Sequence, residues 1–226
     1  MIRSILLACI AFAAIPAAAQ TAPSAAESAA YQGLHRAAHA NDTDAIRKLA
    51  ASGADVNARD RQGRTPVHVA AFASNEAALE ALVRAGADMN ALDGEAYDAV
   101  TIAAVANDVE LMSRALALGN RAGNVTSRYD GTALIAAAHL GHVEVVRMLI
   151  AAGAPLDHVN NLHWTALVES IVLGDGGRNH TETLRALVQA GANLQLHDRY
   201  GQSPLQLART RGHTEMIAIL EAAGAR

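Results

Sequence analysis

Ten histidines are spread over a chain of 226 residues, and they are the first place to look for chemistry. His35 and His39 stand four apart, which on a helix puts both imidazoles on one face. Two such ligands without a carboxylate or a third nitrogen make a poor zinc site, and no Glu completes the His-Glu-x-x-His pattern of a zinc protease. Ser127, Ser170 and Ser203 fall in no Gly-x-Ser-x-Gly elbow, so no activated serine is set up. The stretch Leu173-Gly174-Asp175-Gly176-Gly177-Arg178-Asn179-His180-Thr181 is rich in glycine and invites a phosphate. It lacks the Gly-Lys-Ser/Thr ending of a phosphate loop and follows a helical pattern instead of a strand. The expectation is therefore a chain that is not an enzyme, with no catalytic residue, no cofactor and no metal. A metal- or small-ligand-binding protein, or an enzyme accessory factor using the histidines and the 174–181 loop, is the alternative.

A second set of side chains suits recognition better than reaction. Six aromatic residues lie beyond the N-terminal leader: Tyr31, Phe72, Tyr97, Tyr129, Trp164 and Tyr200. All but Phe72 fall within a few residues of the start of a helical pattern, in the segments that also hold Arg61, Arg64, Arg128 and Arg199. Tyr, Trp and Arg are the side chains that most often dominate the energy of an interface. His158, His163 and His197 share the last two of these segments. Were they to meet a partner, affinity would vary between about pH 5 and 8.

The elements that must position these residues recur at a fixed interval. The clearest copy runs from Asp130 to Asp157 and reads as two short helices, Thr132 to His139 and His142 to Ala152, broken at Leu140-Gly141. A glycine follows each copy, at 53, 86, 119, 153, 191 and 224, so the intervals are 33, 33, 34, 38 and 33 residues. Twelve or thirteen residues after each comes a helix start: Thr65-Pro66, Asp98-Ala99, Thr132-Ala133, Thr165-Ala166, Ser203-Pro204. Thr, Asp and Ser accept a bond from a free backbone N–H at a helix start, and proline fits the first turn. One helical hairpin cannot bury its own apolar face, and repetition at this period predicts a stacked array in which each copy touches only its neighbours. Val145, Val146, Leu149 and Ile150 supply one packing face. Six repeats are expected, at about 31–58, 59–91, 92–124, 125–159, 160–196 and 197–226, behind a flexible lead-in at 20–30. The fifth carries the glycine-rich stretch as an insertion between its helices, read either as a tolerated surface loop or as one that reaches for a partner.

Thr65-Pro66-Val67-His68-Val69-Ala70-Ala71 resembles the Thr-Pro-Leu-His-x-Ala-Ala signature of the ankyrin repeat, departing from it only at Val67. The third copy is the weakest internal match, since Asn120-Arg121-Ala122-Gly123 stands where the usual Ala-Asp-x-Asn would be. The resemblance implies an all-α repeat solenoid of helix-turn-helix units joined by extended finger loops. It implies that His35 and His68 are structural, bonded to neighbouring backbone, and that His142 and His213 open second helices. It also implies a concave binding surface made of finger tips and first helices. On that footing the partner-binding residues are Arg61, Arg64, Tyr97, Arg128, Tyr129, Trp164, Arg199 and Tyr200. Aromatic anchors would fill partner pockets while arginines pair carboxylates at the rim. The alternative for the aromatics is packing of finger against finger.

Met1-Ile2-Arg3, an apolar run from Ile5 to Ile15, Pro16 and the small residues before Gln20 read as a secretory signal peptide over 1–19. Cys9 is the single cysteine and falls inside it, so a processed chain would have no thiol, which suits an oxidising compartment. A net charge of −4 gives no electrostatic reason to expect nucleic acid. The C-terminal half resembles small secreted bacterial ankyrin proteins, some associated with periplasmic enzymes such as catalase and others neutralising toxins. A periplasmic or secreted, monomeric protein-binding module is expected, free of the membrane after cleavage, with delivery to host proteins as the other reading. Replacing Trp164 with Ala is expected to weaken partner capture while helical content stays intact.

Overall fold

The protein was analysed as a computed structural model that describes residues 20–226. The leader expected over 1–19 lies outside the described residues. After a short first helix, α1 (Ala25–Ala30), twelve helices form six antiparallel pairs. The first helices are α2 (Gly33–His39), α4 (Pro66–Phe72), α6 (Ala99–Ala106), α8 (Ala133–Leu140), α10 (Ala166–Val172) and α12 (Pro204–Arg211). Their partners are α3 (Thr43–Ala51), α5 (Glu76–Arg84), α7 (Val109–Ala117), α9 (Val143–Ala151), α11 (Arg178–Gln189) and α13 (Thr214–Ala222). First helices pack on first helices of adjacent repeats and second on second, so α8 lies between α6 and α10. The expected all-α solenoid of six repeats is the observed architecture, and no helix among the described residues is long and apolar enough to cross a membrane.

Capping residues set where each first helix starts. Thr132 Oγ1 accepts from Ile135 N, Thr165 Oγ1 from Val168 N and Ser203 Oγ from Gln206 N, while Asp98 Oδ1 accepts from Thr101 N at 2.8 Å. Alanine lets first helices approach closely: Ala70, Ala103, Ala104, Ala137, Ala138 and Ala208 are almost fully buried. Larger side chains of the second helices fill the space between repeats, with Leu79, Leu82, Leu111, Met112, Val145, Val146 and Leu149 wholly enclosed. Truncating one such leucine to alanine costs about 2–5 kcal/mol, so each interface is modest and the sum holds the array. Each hairpin ends on the recurring glycine. At Gly119 φ is 96° and a Cβ would have nothing within 4 Å, so the left-handed backbone, not space, selects glycine there.

Two segments depart from the sequence expectation. Residues 20–30 are not a flexible lead-in throughout, because Ser24 and Glu27 form a capping box that starts α1. Glu27 then reaches Arg64 at 2.7 Å, and the Tyr31 hydroxyl donates to Asp60 at 3.2 Å. Hydrogen bonds from Ser24, then Arg64, hold the Glu27 carboxyl down at about 2. The insertion of the fifth repeat is also not a loop that reaches outward. It lengthens α11 to 12 residues, against nine in the other second helices. The remaining turn is pressed between two imidazoles. His180 Nδ1 lies 2.9 Å from Asp175 Oδ1 and its Nε2 lies 2.9 Å from the His139 carbonyl. His213 lies on the other side, where a Cβ at Gly176 (φ 70°) would come within 2.2 Å of its ring.

Arg64, expected among the contact residues, is 2% exposed and bonds Asp60 through Nε at 2.7 Å as well as Glu27. Removing one partner of a buried ion pair leaves the other charge without compensation. Arg64→Ala is therefore expected to cost about 3 kcal/mol in denaturant unfolding, while truncation of exposed Arg61 stays within about 0.5 kcal/mol. Equal effects would place both arginines on the surface.

Candidate functional site

The finger loops are built by one recurring device. In the turn before α4, Asp60 Oδ1 accepts from the amides of Gln62 and Arg64, both at 2.9 Å, while Asp60 N donates to the Arg64 carbonyl. Asp93, Asn160 and Asp198 gather the amides two and four residues ahead in the same way. A short acceptor side chain at this position does locally what a strand partner would do elsewhere. The finger before α8 is the exception. Thr126 takes the place of the acid, and its N–H closes on the Gly131 carbonyl, a turn one residue longer than the others. That extra residue accompanies the interval of 34 between Gly119 and Gly153.

Neighbouring fingers are bonded to one another. Gly94 N donates to Gln62 O at 2.8 Å, Ser127 N to Ala96 O at 2.7 Å and Asn161 N to Tyr129 O at 2.9 Å. At the last junction an arginine supplies the link: Arg199 Nε and Nη2 donate to the carbonyls of Leu162 and Asn161, each at 3.1 Å. Arg59 does the same between the first two fingers, donating to Gly63 O and Leu92 O at 2.6 Å. Arg128 pairs with Glu95 of the preceding finger.

The expected contact residues separate on this ladder. Arg61, Arg128, Arg199 and Tyr200 point to solvent, Tyr200 with 70% of its surface exposed. Tyr129 and Trp164 are half-buried, and Trp164 packs against the core. Tyr97 is only 8% exposed, and burial pushes its hydroxyl pKa up. Tyr97 and Arg64 are thus corrected from contact residues to parts of the scaffold. Tyr31 is scaffold too: its ring lies beside His35 and His39 and its hydroxyl donates to Asp60 of the next finger. Since Trp164 also touches the core, Trp164→Ala no longer separates binding from stability; Tyr200 does.

Glu169 was missed from the sequence. It is 4% exposed on α10, accepts from Asn160 Nδ2 at 2.8 Å and lies 3.1 Å from His139 Nδ1. A partial signal was available, since four other copies carry Val69, Ile102, Ala136 and Leu207 at that position, although the first carries Arg36. Six other histidines, His35, His68, His142, His158, His180 and His213, bond backbone carbonyls. His35 Nε2 meets Arg64 O, His68 Nε2 meets Tyr97 O, and His142 Nδ1 meets Ala104 O, all within 2.9 Å. His35 and His39 flank the ring of Tyr31. Among the described residues no group of three or more His, Cys, Asp or Glu is placed to hold a metal.

Residues 34–83 match the family model for ankyrin repeats (many copies), and residues 100–177 that for ankyrin repeats (3 copies). A putative ankyrin repeat protein of Escherichia coli, YahD, is 36% identical over 190 residues, which is 84% of this chain and 94% of that protein. This chain belongs to the ankyrin repeat family. The crystal structure of an ankyrin repeat domain from Acinetobacter baumannii is 43% identical with a TM-score of 0.79, covering 85% of this chain and 98% of that one. The ankyrin repeat protein EF0377 gives 27% identity and a TM-score of 0.76 over 84% of this chain and 98% of its own. Ankyrin repeats are in general protein-interaction modules without catalysis.

His68, at the histidine of the ankyrin signature, links its own helix cap to the next finger. Thr65 N donates to His68 Nδ1 at 3.1 Å, so Nε2 carries the proton and donates to Tyr97 O of the next finger. Burial holds the His68 imidazole below its ordinary value of 6.5, in the neutral form. The unfolded chain therefore takes up this proton first. The stability that neutral His68 contributes is complete above pH 6.5 and is lost as pH falls below it. Melting temperature is expected to fall between about pH 7 and 5, and to fall less steeply in His68→Asn; parallel curves would remove His68 from the account.

Proposed function

We propose that this ankyrin array is a non-catalytic binding module of the periplasm, holding a protein partner on its finger tips and concave face. The observation that carries the reading is the finger ladder itself. Backbone and arginine bonds tie each tip to the next, yet Arg61, Arg128, Arg199 and Tyr200 still point outward. Groups ordered before binding lose little entropy on binding, and arginine and tyrosine are the types that concentrate interface energy. Half-buried Tyr129 and Trp164 add apolar surface at the base of the same fingers. The leader-like segment at 1–19 supports export across the inner membrane, and the thiol-free remainder suits an oxidising compartment. The array acts as a monomer in this reading.

Cross-linking in the intact cell envelope tests it. The wild-type chain is expected to fractionate with the periplasm and to cross-link to a protein partner. Tyr200→Ala and Arg61→Ala should each reduce that product by about fivefold or more at unchanged melting temperature, in the range of interface anchor residues. Full cross-linking in both variants, or a chain confined to the cytoplasm, contradicts the proposal.

A further inference from the structure

In the second, fourth, fifth and sixth repeats a polar side chain at the start of the second helix bonds a carbonyl of the preceding repeat's first helix. Asn75 donates to the carbonyls of Ala38 and His39, His142 Nδ1 meets Ala104 O at 2.8 Å, and His213 Nε2 meets Ile171 O at 3.3 Å. In the fifth repeat His180 does this from inside the inserted stretch, its Nε2 lying 2.9 Å from the His139 carbonyl. Two glycines make room for the ring. A Cβ at Gly174 would come within 2.8 Å of it, and one at Gly141 within 3.2 Å.

What the insertion adds to this device is Asp175. Its Oδ1 lies 2.9 Å from His180 Nδ1 and accepts from Gly177 N at 2.8 Å. The Gly177 amide, then His180, hold the Asp175 carboxyl below its ordinary range, so it is ionised and can only accept. Both ring nitrogens of His180 therefore face oxygens that have no proton to give. No other histidine among the described residues is bonded in this way. His35, His142, His158 and His213 each set one nitrogen on a carbonyl, and His139 sets one on Glu169. His68 receives the Thr65 amide at its second nitrogen.

We propose that the insertion of the fifth repeat is a pH-sensitive latch, closed while His180 is an imidazolium and released when the ring loses one of its two protons. Only the imidazolium donates from both nitrogens. A neutral ring protonated at Nδ1 sets a lone pair against the His139 carbonyl, and one protonated at Nε2 sets it against Asp175. One bond is then lost, either the tie to α8 or the tie that folds the turn before α11. The latch is whole on the acid side of the ordinary histidine value of about 6.5 and opens as pH rises through it. That sign is opposite to the one at His68, whose bonds need a neutral ring. Asp175 is the charged group bonded to His180. On the elements around it, His139 of α8 turns its ring to Glu169 of α10, His142 is directed to Ala104, and His213 of α13 lies against Gly176. Arg178 and Glu182 stand two residues to either side on α11, a spacing that puts them on other faces, and Glu182 meets Arg147 and Arg185. The latch lies at the end of the helix pairs away from the fingers. Its opening frees the 174–177 turn and the start of α11 and leaves the finger ladder in place.

Nitrogen-15 NMR of the His180 ring tests the protonation, and amide hydrogen exchange on the full array tests the release. At about pH 6 the ring is expected to carry a proton on both nitrogens, and at about pH 8.5 on one. The amides of Gly177 and Thr181, which donate to Asp175 and to the Gly177 carbonyl, report on the turn. Corrected for intrinsic exchange, their protection should fall about tenfold between those values, as for the loss of a charge-assisted hydrogen bond. The Ala154 amide, bonded to Leu149 in the fourth repeat, should lose none. Asp175→Asn keeps an acceptor and adds a donor, so a neutral His180 is satisfied at both nitrogens. The Asp175 side chain is 77% exposed, so that variant leaves the core undisturbed, and its turn should be equally protected at both pH values. A ring with one proton at about pH 6, protection that does not fall as pH rises, or the same fall in Asp175→Asn would each overturn the proposal.

Discussion

A finger of this array has no strand partner, and its polar backbone must be satisfied by side chains and by the next repeat. Asp60, Asp93, Asn160 and Asp198 collect the turn amides from within. From outside, His35 and His68 reach the carbonyls of Arg64 and Tyr97, one repeat further on. Buried backbone groups left unpaired are costly, so these bonds decide the shape of a loop that propensity alone would leave open. The rest of the finger surface follows from that constraint. A tip can display a charged or aromatic side chain in a fixed place only because its base is held on both sides.

The same constraint explains which side chains are withdrawn from the surface. Arg64 and Tyr97 stand immediately before a helix cap, at the finger base, where a long side chain has nowhere to go except across the neighbouring repeat. Tyr200 stands further out, in the turn whose amides Asp198 gathers, and its side chain stays 70% exposed. Arg199 shows a mixed role: its guanidinium replaces the backbone rung between the last two fingers and yet keeps its charge. Scaffold and site are thus made from the same residues, divided by position along the finger.

The period, the helix starts and the count of six repeats were legible because cap residues and glycines answer to local backbone geometry. Thr65, Thr132, Thr165 and Ser203 cap the helices that the sequence pattern assigns to them. The proposed binding face was only partly legible. Spacing puts Tyr97 and Tyr200 on fingers, but burial is decided by what the adjacent repeat places against them, which no single repeat records. The docking of α1 was missed for a related reason. A stretch as polar and small as 20–30 reads as loose until Arg64, more than thirty residues away, supplies Glu27 with a counter-charge. Glu169 needed a comparison of repeats with one another, where it is the one acid at a slot filled by Arg36, Val69, Ile102, Ala136 and Leu207.

The central claim is that the fingers form one ordered ladder before any partner arrives. Amide hydrogen exchange of the unliganded protein tests it most directly. The account predicts that Gly94, Ser127 and Asn161, which donate across the finger junctions, exchange far more slowly than the neighbouring tip amide of Arg61. Exchange of all four at the same unprotected rate would contradict it, and would mean that the face is assembled by the partner instead of presented to it.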